Sequence, residues 1–155
     1  MKRLLLLVSF FAVVFTAQNV NAQSDRKLKT QPVNYGENVE EPFTAKELSM
    51  LKEVYQDKLE IYVLSKPQKA KDLKHLLRNR IEIKRNSELI NYIDKYELLS
   101  KQGLFNYYNS NLTYDKNFNP SNFNVLKYNL QFFGNGTNIY RIDNTDYFIY
   151  IKSQF

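Results

Sequence analysis

The chain has 155 residues, 22 basic against 16 acidic side chains for a formal charge of +6, and no cysteine. That size suits one domain with a real core. The lack of thiols excludes a disulfide scaffold or a thiolate metal site, so stability must come from packing. A single histidine, His75 beside Lys74 on a charged stretch, has no second imidazole or thiol to join it. It reads as a surface residue rather than a metal ligand or catalytic base.

Met1 to Ala22 reads as a secretory signal peptide. Lys2 and Arg3 give a charged start, Leu4 to Ala17 an apolar run of 14 residues, and Val20-Asn21-Ala22 a small-residue cleavage site. The run is short of the ~20 residues that a spanning helix needs. Cleavage after Ala22 would remove two positive charges and leave a periplasmic or extracellular protein with no transmembrane anchor. Export argues against nucleic acid as a partner despite the basic balance. Residues 23–42 are polar, carry Pro32, Gly36 and Pro42, and show no period, which suggests a flexible linker. A single domain is expected over 43–155.

Thr44 and Glu47 form a capping box, and Leu48, Leu51, Val54 and Tyr55 an apolar stripe, so the first helix is predicted from Ala45 to Gln56. Leu59, Ile61 and Val63 alternate like a strand. Ser65 and Gln68 suggest a second capping box, with Pro67 in the first turn of a helix that runs to Arg78 and turns Ala70, Leu73, Leu76 and Leu77 inward. Ile81 and Ile83 predict another strand, and strand, helix, strand would make a right-handed parallel crossover. Leu89, Ile90, Ile93 and Tyr96 fit a helical stripe. From Gly103 to Asn122 an ordered loop is expected, because Leu104, Phe105, Tyr107 and Tyr108 need burial.

The region from Phe123 to Lys152 predicts a three-stranded antiparallel meander. Leu126, Tyr128, Leu130 and Phe132 alternate with polar residues, Gly134-Asn135-Gly136 marks a hairpin, and Asp143 to Asp146 marks a second turn. A three-residue first loop with Gly136 left-handed pairs Leu130 with Tyr140 and keeps Arg141 off the apolar face. The second turn pairs Ile142 with Tyr147 and Tyr140 with Ile149. One face then holds Tyr128, Tyr140, Ile142, Ile149 and Ile151. The other sets Arg141 across from Phe148 and Ile139 across from Tyr150. The expected fold class is α+β: an antiparallel sheet of four to five strands centred on the meander, with two or three helices on one face.

Several constellations are candidates for function. Ile139, Arg141, Phe148 and Tyr150 form a structural cation–π group, a platform for a sugar or peptide, or a face covered by Phe105 to Phe118. Lys71, Lys74 and Arg78 line one helix face within a stretch, Lys66 to Arg85, of eight basic and two acidic residues. Such a stripe is a solvated face opposite the acidic Glu37–Glu60 region, or a contact for anionic lipid head groups or polysaccharide. Asp143 and Asp146 flank a turn. Calcium wants six or more oxygens, so they read as turn formers, and no metal or cofactor is expected. No nucleophile elbow, phosphate loop or zinc helix motif is present.

Phe123-Asn124-Val125-Leu126-Lys127-Tyr128, Tyr140 to Tyr147 and Ile151-Lys152-Ser153-Gln154 together resemble the C-terminal signature of small exported proteins of unknown function from Bacteroidota. Many members carry proline where Val125 stands here. The likeness also touches Phe43 to Leu64 and Leu77 to Arg80. It implies an envelope or secreted location, and it carries over no activity and no functional residue. The expected function is therefore non-enzymatic binding of a partner in the envelope or outside the cell, such as an envelope protein, polysaccharide or anionic lipid. A small hydrolase of polysaccharide or peptide is the alternative, because paired carboxylates leave no sequence spacing.

Overall fold

A computed structural model of the chain describes residues 32–155. The signal segment and residues 23–31 of the expected linker lie outside the described residues. Helix α1 (Ala45–Tyr55) starts as its sequence dictates. The Thr44 hydroxyl accepts from the Glu47 amide while the Glu47 carboxylate accepts from the Thr44 amide. Helix α2 (Pro67–His75) has proline in its first turn but no side-chain cap. The expected Ser65–Gln68 box does not form: Ser65 bonds back to the Ile61 carbonyl, and Gln68 reaches Tyr35 and Asp72.

Four strands form a sheet among the described residues: β1 (Ile81–Arg85), β2 (Glu97–Leu98), β3 (Asn138–Arg141) and β4 (Tyr147–Ile151), in the order β1-β4-β3-β2. β1 and β3 flank β4 antiparallel, whereas β2 joins β3 parallel, so the sheet is mixed rather than purely antiparallel. Tyr140 pairs with Ile149 and Arg141 with Phe148, in the expected register. The Asp143–Asp146 turn places Asn144 at φ 55°, a left-handed position that asparagine tolerates.

The meander is corrected to two strands. Val125–Lys127 is a 3-10 turn, and Tyr128 bridges to Leu104 instead of reaching Ile142. The Phe105 amide donates to Lys127 and the Asn129 amide to Gly103. Leu126, Tyr128 and Leu130 are buried, but so is Lys127 between them, and the 103–105 segment takes the ladder bonds. Among the described residues no glycine has positive φ, so Gly136 does not supply the expected left-handed bulge.

The 59–63 strand is also overturned, and with it the parallel crossover. Glu60–Leu64 is a helical turn that buries Leu59 and Val63 and leaves Ile61 59% exposed. Positions four apart satisfy a helix as well as a strand, and the flanking helices decide the period.

One core lies between the helices and one sheet face. Leu51, Val54 and Tyr55 of α1 and Leu73 of α2, with Leu76 just beyond it, share a cluster with Tyr140, Ile149 and Ile151 of the strands and with Ile142. The opposite face carries the cross-strand row Lys84–Phe148–Arg141. There Phe148 is fully buried, and Tyr96 meets its ring edge-on at 5.6 Å. Two 3-10 turns over Glu88–Lys95, broken at Tyr92, lead into Tyr96 and β2. The cover on Phe148 therefore includes Tyr96, where sequence pointed to Phe105–Phe118. Of the Leu89–Tyr96 stripe, the side chains of Ile90 and Ile93 lie outside the described residues.

Residues 32–42, which read as linker, pack along α2: Val39 is buried and Asn38 exchanges side-chain hydrogen bonds with Asn79. This strap overturns the surface reading of His75. The ring is 8% exposed, with Tyr35 at 5.1 Å and the Asn79 amide 3.2 Å from its Nδ1.

Candidate functional site

A cleft of about 360 Å³ opens between the turn after β2 (Leu99–Lys101), the 114–123 loop and the β3–β4 turn. The volume lies in the range of small-molecule sites. Aromatic rings form a connected series along it. Tyr114 lies 6.0 Å from Tyr128, Tyr128 stacks on Phe123 at 5.5 Å, and Phe118 meets Phe123 at 5.3 Å. Tyr128 and Phe123 are buried, so their positions are set by the core. Tyr114 is 47% exposed and is steadied by its hydroxyl donating to the Gln102 carbonyl at 2.9 Å.

Two carboxylates line the same cleft. Asp143 accepts from both the amide and the hydroxyl of Ser100, which ties the β3–β4 turn to the turn after β2. Asp115 accepts from the buried Lys127 ammonium at 2.7 Å and from the Tyr128 hydroxyl at 3.0 Å. Burial pushes the Tyr128 phenol well above its ordinary value, and the adjacent Asp115 charge adds to this, so it stays a protonated donor. Lys127 also lies 3.5 Å from Glu53, whose carboxylate is held by the Asn124 amide at 2.8 Å. This network, centred on the buried Lys127, anchors the foot of the loop to α1.

Each carboxylate thus lines the cleft with both oxygens held by donors within the chain. That arrangement suits accepting hydrogen bonds from a ligand more than donating a proton to one. Sequence reasoning noted the aromatic richness of 105–118 but had no means of finding Ser100 or Asp115. They come from segments without period and meet only through the fold.

The residues singled out from sequence stand as follows. Phe148 is buried. Ile139, Arg141 and Tyr150 are half-buried, the Arg141 Nε is buried without a partner, and Tyr150 lies between Asn86, which donates to its hydroxyl at 2.9 Å, and the Lys84 ammonium at 4.7 Å from its ring. Lys71 pairs with Glu40 at 2.6 Å, and Lys74 donates to the Val39 carbonyl at 3.0 Å and lies over Phe43. Arg78 grips Glu47 through Nε and Nη2, each at 2.7 Å, and donates to the carbonyls of Asn38 and Pro42. The stripe thereby holds the 32–42 strap and the start of α1 against α2 and the turn after it.

Asp143 turns to Ser100 and Asp146 to Arg85 at 2.7 Å, so the two acids serve different partners. The hydrogen bond from Arg85 holds the Asp146 carboxyl below its ordinary value. Among the described residues no three acids or imidazoles gather as a metal site, and no helix is long and apolar enough to cross a membrane. No family model, curated protein or solved structure matches the chain.

Proposed function

We propose that the chain is an exported protein that binds a polyhydroxylated ligand, of the polysaccharide class, in the aromatic cleft and does not transform it. The supporting observation is the cleft itself: connected rings beside two fixed carboxylates and the Ser100 hydroxyl. The exposed ring of Tyr114, backed by the buried Tyr128 and Phe123, suits the C–H face of a sugar, and fixed acceptors suit its hydroxyls. Rigid placement of these acceptors lowers the ordering cost of binding. Export rests on the charged start, short apolar run and small-residue end of Met1 to Ala22.

A hydrolase reading is favoured by one observation, that Asp115 and Asp143 line the same cleft. Titration calorimetry of the purified protein against soluble oligosaccharides separates the two. Saturable binding that falls at least tenfold in Tyr114→Ala and Asp143→Asn, with no new reducing ends after prolonged incubation, supports binding. Release of reducing ends lost in Asp115→Asn supports the hydrolase, and no saturable binding by the folded protein overturns both. N-terminal sequencing of secreted material should begin at Gln23, and a start at Met1 would overturn cleavage after Ala22.

A further inference from the structure

A second cavity, independent of the cleft, has a different chemistry. It holds about 110 Å³ between α1, α2 and the 132–133 segment. Its walls are core residues: Val54 from α1, Leu73 and Leu76 from and just after α2, and Leu126, none more than 5% exposed. Phe133 lies at its rim, 51% exposed, with the Lys69 ammonium 5.4 Å from its ring centre. Lys69 is the one charged side chain on the lining. It takes part in none of the ion pairs among the described residues.

The local electrostatics leave positive charge unmatched at this rim. The first turn of α2 carries no acidic residue, although a helix N-terminus favours negative charge. Lys66 and Lys69 instead add cations there. The nearest acid along the helix, Asp72, accepts from Tyr35 and Gln68. An apolar hollow with one uncompensated ammonium at its edge selects a ligand with an apolar body and an anionic head.

We infer that this cavity is a binding site for a compact apolar carboxylate, with its hydrocarbon body against Leu73 and Leu76 and its carboxylate at Lys69. The body has about four to six carbons, judged against the benzene that fills an engineered cavity of about 150 Å³. Burial of those carbons supplies the attraction, since apolar area leaving water is favourable whatever its identity. The ammonium supplies orientation and discrimination against neutral analogues. Phe133, at the mouth beside Lys69, covers the bound body from solvent.

The test uses pentanoate as the probe, acetate as a head without a body and pentan-1-ol as a body without a head. Titrations of the purified protein are followed by the amide resonances of residues 69–76, 126 and 133. Pentanoate is expected to bind saturably and at least tenfold more tightly than acetate. Lys69→Gln should weaken pentanoate at least fivefold and leave pentan-1-ol unchanged, and added salt should weaken pentanoate alone. Leu73→Phe, checked for an intact fold by its dispersed spectrum, should abolish both. Pentanoate binding no better than acetate, or equal binding of pentanoate by Lys69→Gln and the unaltered chain, overturns the proposal. The cleft reading is untouched by either outcome, because it depends on other residues.

Discussion

Replacing Arg78 with methionine should detach the strap from α2. The side chains of Arg78 and Glu47 are only 10% and 11% exposed, and two bonds of 2.7 Å join them in a fork. Methionine keeps the aliphatic stem but removes the charge, leaving Glu47 with the Thr44 amide as its remaining partner. The carbonyls of Asn38 and Pro42 lose their donor too, although they lie near water. Breaking one side of a buried pair costs about 3–5 kcal/mol. The partly open rim of this pair sets the expectation at about 2–4 kcal/mol.

The double variant Arg78→Met with Glu47→Gln should recover part of that loss, because no buried charge is left unpaired. Lys71→Met should change stability little, since Glu40 is 74% exposed. Acid dependence gives a further check. Burial alone would raise the Glu47 carboxyl, but the bonds from Arg78 and the Thr44 amide outweigh it and hold the group below its ordinary value. A depressed folded value means stability that is present above the unfolded value near 4.5 and lost as pH falls through the folded one. Urea denaturation at neutral pH and across the acid range reads all of this. A loss under 1 kcal/mol for Arg78→Met, or strict additivity in the double variant, would refute the reasoning.

Ile142→Asp should cost about 4 kcal/mol or prevent folding, since Ile142 is 4% exposed in the main core. Arg141→Asp should cost less but measurably, because Arg141 neighbours the buried Phe148; thermal denaturation that finds Arg141→Asp neutral would mean that this face is open. His75 is held below its ordinary value by burial first and by the Arg80 charge second, against the opposing pull of Asp72. The folded state therefore disfavours the charged ring, and stability should decline as pH falls below about 6.5. His75→Gln should flatten that decline, measured by urea midpoints between pH 7 and 5; an unchanged slope would show that other groups cause it.

What the sequence determined by itself are the features whose cause is local. The Thr44–Glu47 box needs only four consecutive residues, and it starts α1 where expected. The parity of β3 and β4 follows from the short turn between them, so Tyr140 meets Ile149 and Arg141 meets Phe148 as expected. Leu126, Tyr128 and Leu130 are buried as apolar residues, but Lys127 between them is buried too, so burial there does not alternate.

What the tertiary structure decided is which partner satisfies each pattern. Tyr128 has the period of a strand, but the 103–105 backbone pairs beside it, through Lys127 and Asn129, a long-range competition that no local window contains. Leu59 and Val63 fit either period, and packing beside α1 and α2 selects the helix. His75 looks exposed on its own helix and is buried because the strap lies across it, held by Lys71, Lys74 and Arg78. The cleft is the extreme case: Ser100, Asp115 and Asp143 belong to three loops, whose positions are set by hydrogen bonds between distant segments rather than by any repeat along the chain.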